Sequence, residues 1–191
     1  SLDLSRPDTR LMDLGGDGKL DLVRMSTREA GFQERDPDLP GGWNRFRNFK
    51  SRPNIDWNDP NARMVDLDGD GLADLLLTED QAFRWFPSEG KDGFAAPRRT
   101  FQSADEDDGP RLVFASDRES LFLADMTGDG LTDLVRIRNG SVVYWPNTGY
   151  GHFGHKVVMA DAPVFDHPNR FQSSRIRLAD IDGSGPPDLV Y

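Results

Sequence analysis

The 191-residue sequence contains no cysteine, which excludes a disulfide framework, a zinc–cysteine centre and a thiol nucleophile. No apolar run approaches the roughly 18–20 residues of a transmembrane helix, and residues 1–6 do not have the pattern of a secretory signal peptide. An excess of basic residues is absent, since 23 Lys and Arg against 33 Asp and Glu give a formal net charge of −10. A nucleic-acid partner is therefore not expected, because phosphate binding needs clustered Lys and Arg.

Apolar residues nowhere keep a helical period over three turns. The apolar segments are short instead, and 19 Gly and 13 Pro provide frequent turn signals. Residues 134–138 and 141–145 flank the pair Asn139-Gly140, which is the strongest short signal for a β-hairpin. The sequence therefore predicts an all-β protein.

Four aspartate-rich segments of nine residues recur along the chain, and we number them as the first to fourth loops: 13–21, 66–74, 125–133 and 180–188. Their first residues are 53, 59 and 55 positions apart. A period in this range indicates a repeat architecture. Short apolar segments precede and follow the loops, so each repeat is predicted to contain a strand, the loop and a second strand.

The second loop is the most acidic, with Asp at positions 1, 3, 5 and 9 and Gly at positions 4 and 6. Calcium takes about 6–8 oxygen ligands from carboxylates, carbonyls and water, and four carboxylates this close would repel one another without a cation. The pattern predicts up to four Ca²⁺, one in each loop. The predicted ligands are the side chains of Asp13, Asp17, Asp21, Asp66, Asp68, Asp70, Asp74, Asp125, Thr127, Asp129, Asp133, Asp180, Asp182, Ser184 and Asp188 and the carbonyls of Lys19, Leu72, Leu131 and Pro186.

The loops differ in their ligand sets. Gly15 removes the position-3 ligand from the first loop, and Ser184 replaces a carboxylate at position 5 of the fourth. We expect the second loop to bind calcium most tightly and the first or fourth least tightly. An EF-hand is excluded because it needs a bidentate glutamate at position 12, where these loops have Arg24, Leu77, Arg136 and Tyr191.

The strand pattern predicts units of four short antiparallel strands, which is the organisation of a β-propeller blade. A parallel β-helix is the main alternative, but its rungs are much shorter than these repeats. We predict a propeller, or a segment of one, with about three and a half blades. Residues 1–9 are a lead segment and 10–191 hold the repeats, with blades at 10–60, 61–118 and 119–172 and a partial blade at 173–191.

Other candidate sites are weaker. His152 and His155 form a His-x-x-His pair without the further ligands of a zinc site, and they are interpreted as exposed loop residues. No nucleophile elbow is present, so no catalytic residue is assigned and no enzymatic activity is expected. Aromatic residues that could either stack against sugars or pack between sheets are Trp85, Phe86, Tyr144 and Trp145.

Longer stretches resemble known families. The loops, the Asp-Leu-Val that follows most of them and the hairpin from Trp145 to Phe153 resemble FG-GAP/VCBS repeats, as in integrin-α-type propellers. Residues 54–60, 123–140 and 177–185 are similar to the middle region of the SpvB/insecticidal toxin-complex B-component family. The resemblance extends over roughly residues 10–191.

This resemblance implies a propeller within a large secreted bacterial toxin component, which docks on a translocation subunit and gates the passage of a toxic cargo. Any catalytic toxin activity would lie outside this region. The alternative is a propeller-type lectin that binds glycans between blades. A partial blade leaves apolar faces and a sheet edge uncovered, so we also expect self-association. The simplest form is a two-fold dimer that completes a ring of about seven blades, and the alternative is an open arc completed by the parent chain.

Removal of calcium should destabilise the protein. A ligand at about 100 times its Kd adds roughly 2.7 kcal/mol per site if it binds only the folded state. We expect excess chelator to lower the melting temperature by many degrees and added Ca²⁺ to restore it, as measured by circular dichroism. Identical melting curves in chelator and in Ca²⁺ would contradict the metal assignment.

Overall fold

The computed structural model describes residues 4–26, 28–114, 120–184 and 187–191. Over these residues the regular elements are β-strands and two short 3-10 turns, at Gly90–Asp92 and Ser173–Arg175. No helix in the described part of the chain is long and apolar enough to cross a membrane. The strands are β1 (Thr9–Met12), β2 (Asp21–Met25), β3 (Ala30–Gln33), β4 (Arg47–Asn48), β5 (Ala62–Val65), β6 (Asp74–Glu79), β7 (Ala82–Phe86), β8 (Arg98–Phe101), β9 (Ser120–Ala124), β10 (Asp133–Arg138), β11 (Ser141–Trp145), β12 (Asn147–Gly149), β13 (His152–Phe153), β14 (Val157–Val158), β15 (Arg177–Ala179) and β16 (Asp188–Val190).

Three four-stranded sheets follow one another along the chain. Their strand orders are β1-β2-β3-β4, β5-β6-β7-β8 and β9-β10-β11-β14. Neighbouring strands are antiparallel in the first and third sheets, and so are β5 and β6 in the second. The hairpin of β15 and β16 begins a fourth unit, and β12 pairs with β13 in a small hairpin of its own. These are blades of propeller type, so the all-β fold of three full units and a partial fourth is confirmed.

The strand register follows the alternation of side chains in the sequence. In the third sheet, Arg138 pairs with Ser141 across a turn at Asn139-Gly140, where Gly140 has a φ of 78°. The predicted hairpin is therefore present, because glycine adopts positive φ without a steric penalty. The central strand β10 is the most buried of its sheet, with Leu134, Val135 and Ile137 fully inaccessible. Its predicted role as the strand that leaves the third loop is confirmed.

Some boundaries differ from the sequence prediction. The first strand begins at Thr9, inside the predicted lead segment, and the amide of Met25 donates to the carbonyl of Asp8 at 2.7 Å. The outer strand of the first sheet, β4, contains only Arg47 and Asn48. Trp43 lies outside this strand, where it makes an isolated bridge with Arg35 and has the Arg35 guanidinium 5.2 Å from its ring centroid.

The chain divides into two compact units, and the division runs through the second sheet. The first unit is Ser1–Asp66, Asp70–Leu77 and Arg84–Arg98, and the second is Leu67–Gly69, Thr78–Phe83 and Arg99–Tyr191. The core of the first unit is aromatic: Phe49 stacks on Phe32 at 5.7 Å and meets Phe94 edge-on at 6.1 Å, and Trp57 lies 5.9 Å from Phe94. Phe49 and Phe94 are thus the inner rings of the cluster, since each contacts two others.

The core of the second unit is built on the third sheet. One cluster of buried residues there consists of Val135, Ile137, Val142 and Ile176. Phe165 and Phe171 pack against this cluster, and Tyr191 packs against both of these rings, with the three ring centroids 5.2 to 6.0 Å apart. Ile176 comes from the segment just before β15, so the partial fourth unit shares its core with the third sheet.

Truncation of Phe94 should destabilise the protein strongly. The side chain is 1% exposed, and removal of a buried phenylalanine ring typically costs about 3–5 kcal/mol. Phe101 lies on β8 and is 73% exposed, so Phe101→Ala is the matched control. Urea unfolding followed by tryptophan fluorescence should show a large loss for Phe94→Ala and little change for Phe101→Ala. Equal midpoints for both variants would contradict the assignment of the core.

Candidate metal loops

The glycines at positions 4 and 6 give the loops a common backbone path. All seven that the structure describes have positive φ, between 65° and 88°: Gly16, Gly18, Gly69, Gly71, Gly128, Gly130 and Gly183. Side chains are disfavoured in this region, so glycine is needed at these turns. In the first three loops the position-6 amide donates to the Oδ2 atom of the first aspartate, at 2.7, 2.9 and 2.9 Å.

The fifth residue is held by a second repeated hydrogen bond. Its Oδ1 atom accepts from the amide two residues later, at 2.8 to 2.9 Å in the first three loops. Backbone amides also donate to the carboxylate at position 1, and such hydrogen bonds favour its charged form. The Gly18 amide lowers the pKa of Asp13. At Asp125, burial raises the pKa, but the amides of Gly130 and Gly128 outweigh it and the net pKa is lowered.

The ninth aspartate has a structural role that differs from that of the others. Asp74 is 1% and Asp133 is 0% exposed. Asp74 accepts the amide of Ser88 at 2.7 Å, and Asp133 accepts the equivalent amide of Asn147 at 2.8 Å. Asp133 also accepts the amides of residues 126 and 127, at 2.8 and 3.1 Å. The ninth carboxylate therefore ties its own loop to the end of the returning strand, and burial raises the pKa of Asp133 and of Asp21.

The structure brings carboxylates together in two of the four loops. In the second loop, ligand oxygens of Asp66, Asp68 and Asp74 lie within 4.8 Å of one another, and the same holds in the fourth loop for Asp180, Asp182 and Asp188. Three converging carboxylates are a hard oxygen donor set, which is the chemistry that Ca²⁺ prefers. Both loops thus fit a calcium ion, and their occupancy stays a prediction.

The first and third loops do not form such a group among the described residues. In the third loop, Thr127 turns its hydroxyl towards Asp125 Oδ1 at 3.4 Å instead. In the fourth loop, the Ser184 amide donates to Asp180 and Asp182 at 3.0 and 2.9 Å. Pro186 lies outside the described residues. The other assignments stay predictions: Asp13, Asp17, Lys19, Asp21, Asp70, Leu72, Asp125, Thr127, Asp129, Leu131, Asp133 and Ser184.

A contact that the sequence analysis missed comes from the turn after the returning strand. Residues 87–94 align in sequence with residues 146–153, which places Gly90 opposite Gly149 and Lys91 opposite Tyr150. A Cβ atom on Gly90 would lie 2.7 Å from the Leu14 carbonyl oxygen, so this turn meets the first loop. The Tyr150 amide donates to the Leu67 carbonyl at 3.1 Å, in the equivalent place on the second loop.

The aromatic residues considered for sugar stacking are packing residues. Trp85 and Trp145 are 0% exposed, Phe86 is buried and Tyr144 is half-buried against the core of the second unit. The Trp145 indole donates to the Glu106 carbonyl at 2.8 Å, and Arg136 covers its ring at 5.1 Å. These rings are therefore not a surface platform for glycans. The two histidines are exposed as predicted, and His155 lies 3.4 Å from the Asp108 carboxylate.

Comparison with known proteins places these loops in a wider context. Residues 125–191, which contain the third and fourth loops, match the family model of the FG-GAP-like repeat. No curated protein sequence matched the chain. The whole chain is similar to part of a chain in the structure of the Photorhabdus luminescens Tc holotoxin pore, with 31% identity and a TM-score of 0.81. It covers 8% of that much longer chain.

Two further solved structures share the fold. A lectin from Agrocybe aegerita, studied for its recognition of non-reducing terminal N-acetylglucosamine, matches with 24% identity and a TM-score of 0.62, over 96% of this chain and 46% of the lectin. TcdB2–TccC3 without its hypervariable C-terminal region matches with 22% identity and a TM-score of 0.50, over 96% of this chain and 11% of that one. At these identities the likeness concerns the fold alone.

Loss of the ninth aspartate should destabilise the protein even without calcium. Asp133→Ala leaves three backbone amides without their acceptor, and each unsatisfied buried group costs about 1–3 kcal/mol. Asp129→Ala is the control, because this exposed carboxylate accepts the Leu131 amide at 2.9 Å within its own loop. In chelator, we expect thermal unfolding to show a large loss for Asp133→Ala and a much smaller one for Asp129→Ala. Equal losses would mean that position 9 has no special structural role.

Proposed function

We propose that the chain is a calcium-stabilised, propeller-type module of a secreted bacterial toxin component of the SpvB/toxin-complex B type, built from FG-GAP/VCBS repeats. The likeness to the Photorhabdus luminescens Tc holotoxin chain carries this proposal, since it extends over 100% of the chain with a TM-score of 0.81. In this function the module is a scaffold that docks to a translocation subunit. It has no enzymatic role of its own.

Calcium would act structurally in this module. The second and fourth loops would hold the ion through Asp66, Asp68 and Asp74 and through Asp180, Asp182 and Asp188. The ion would offset the repulsion among these carboxylates, which lie at the entry to β6 and to β16. Binding of the folded state alone would then stabilise both sheets by mass action.

The outer edge of the third sheet is the surface that best suits a protein partner. Among the strands that the structure describes, the two-residue β14 pairs with β11 alone, so its other side is an open edge. Apolar side chains on and after it are exposed: Val158 by 65%, Met159 by 41% and Val164 by 74%. Open strand edges and exposed apolar side chains are typical of protein–protein contacts.

A glycan-binding function is the second candidate. A hollow of about 620 Å³ opens beside the first sheet and is lined by Arg24, Glu29, Gln33, Trp43 and Phe46. Aromatic faces beside charged and amide groups suit a sugar ring, which has both apolar and hydroxyl faces. The shared fold with the Agrocybe aegerita lectin agrees with this candidate but does not carry it.

Docking can be tested directly by biolayer interferometry. The chain in Ca²⁺ is titrated onto the immobilised translocation subunit of the Photorhabdus luminescens Tc toxin, with N-acetylglucosamine as a separate analyte. We expect saturable binding to the subunit and at least tenfold weaker binding for the double variant Val158→Asp/Val164→Asp. Leu39→Asp, at a 40% exposed leucine near the first sheet, should bind as the wild type does.

Other outcomes would decide against docking at this edge. No binding by the wild-type chain, or an equal loss for Leu39→Asp, would contradict the proposed surface. Saturable binding of N-acetylglucosamine without binding of the subunit would favour the lectin function instead.

A further inference from the structure

A lysine lies beside position 3 of the first loop, where the other loops have Asp68, Thr127 and Asp182. The Lys91 ammonium lies 3.6 Å, and its Cε atom 3.5 Å, from the point that a Cβ atom on Gly15 would occupy. The carboxyl carbon of Asp17 lies 3.9 Å from the same point. A positive charge from another part of the chain thus stands at position 3 of the first loop, where a metal ligand is missing.

The lysine is anchored from its other side as well. Its Nζ atom lies 2.6 Å from Glu34 Oε1, and both side chains are only about one-third exposed, at 36% and 28%. The hydrogen bond with Glu34 raises the pKa of Lys91, burial opposes it, and the charges of Asp21 and Asp17 raise it further. Glu34 in turn has its pKa lowered mainly by Lys91. The ammonium is therefore fixed as a cation among three carboxylates.

The second loop offers an internal comparison. There the position-3 residue is Asp68, and the residue equivalent to Lys91 is Tyr150, which is 62% exposed and carries no charge. The two turns meet their loops alike, since Gly90 touches the Leu14 carbonyl and the Tyr150 amide binds the Leu67 carbonyl. The chain thus has two versions of one contact between position 3 of a loop and a turn residue. The pair is Gly15 with Lys91 at the first loop and Asp68 with Tyr150 at the second.

We propose that Lys91 supplies the cation of the first loop and takes the place of a divalent ion there. A dication within a few ångströms of a fixed ammonium would meet strong repulsion in this partly buried setting. It would also find one carboxylate fewer than in the second loop. The first loop therefore does not fit calcium, and the number of calcium sites is smaller than the four that the sequence predicts.

This assignment changes what holds the first loop to its neighbour. The loop lies between β1 and β2, and Lys91 lies on the turn between β7 and β8, within the first unit. Lys91 lies beside position 3 of the loop and forms its ion pair with Glu34, just after β3, so these contacts do not depend on the calcium concentration. The inference relies on the proposed calcium sites only for its count of bound ions.

The test exchanges the two versions of the contact. The double variant Gly15→Asp/Lys91→Tyr copies the Asp68 and Tyr150 pair into the first loop; Gly15 has no positive φ, so an aspartate fits its backbone. Calcium binding is counted by native mass spectrometry and isothermal titration calorimetry on the full chain. We expect the double variant to bind one Ca²⁺ more than the wild type. Asp17→Asn in the wild-type background should leave the calcium count unchanged.

The melting temperature in chelator provides a measurement that does not depend on calcium. Lys91→Met should lower the melting temperature by the same amount in chelator and in Ca²⁺. Lys50→Met is the control, because Lys50 is also paired, with Asp92 at 2.8 Å, but is 77% exposed; it should change neither reading. If the wild type binds no calcium, the metal part of the proposed function fails, and the effect of Lys91→Met in chelator still decides this inference.

Three results would overturn the assignment. The first is the loss of one calcium ion on Asp17→Asn, which would show that the wild-type first loop is a metal site. The second is an unchanged ion count in a folded double variant. The third is a melting temperature for Lys91→Met that equals that of Lys50→Met in chelator.

Discussion

Balancing the negative charge of the loops is the constraint on which the rest of the structure depends. Each loop places three or four carboxylates between the first two strands of a sheet, so unbalanced repulsion would separate those strands. Backbone amides balance part of it in the first three loops, as the bonds from Gly18, Gly71 and Gly130 to the first aspartate demonstrate. What balances the rest of the negative charge differs by loop. The second and fourth loops have converging oxygens suited to a dication, and the first has a lysine beside it.

The sheets were predictable because their signals are local. Asn139-Gly140 predicts a hairpin, and the apolar segments directly before and after it form the paired strands β10 and β11. The outer strand of the first sheet was not predictable, because β4 is only two residues long and is set by a close approach to Gly31, where a Cβ atom would lie 2.1 Å from the Arg47 carbonyl. Trp43 lies outside that strand and packs against Arg35.

The candidate metal loops also have features that the sequence predicts and others that it does not. The positions of the loops and their glycine turns follow from the repeated sequence, and so does the aspartate at position 9. The turn that contacts each loop cannot be read from the repeat, because Lys91 lies more than 70 residues from Gly15 in the chain. The only sequence signal for it was the alignment of residues 87–94 with 146–153, which becomes informative once Gly90 is seen against Leu14. Burial of Trp85 and Trp145 likewise depends on long-range packing.

The approach of Gly90 to the first loop has a consequence for how related sequences can diverge. A Cβ atom there would lie 2.7 Å from a backbone oxygen, and the residue has a φ of 58°, so side chains of every size are disfavoured. Lys91 faces no such steric limit. Homologous chains should therefore keep glycine at the place of Gly90. The residue at the place of Lys91 should vary together with position 3 of the loop that it faces. Paired variation of that kind would let each repeat gain or lose dependence on metal through two substitutions, with the sheets unchanged.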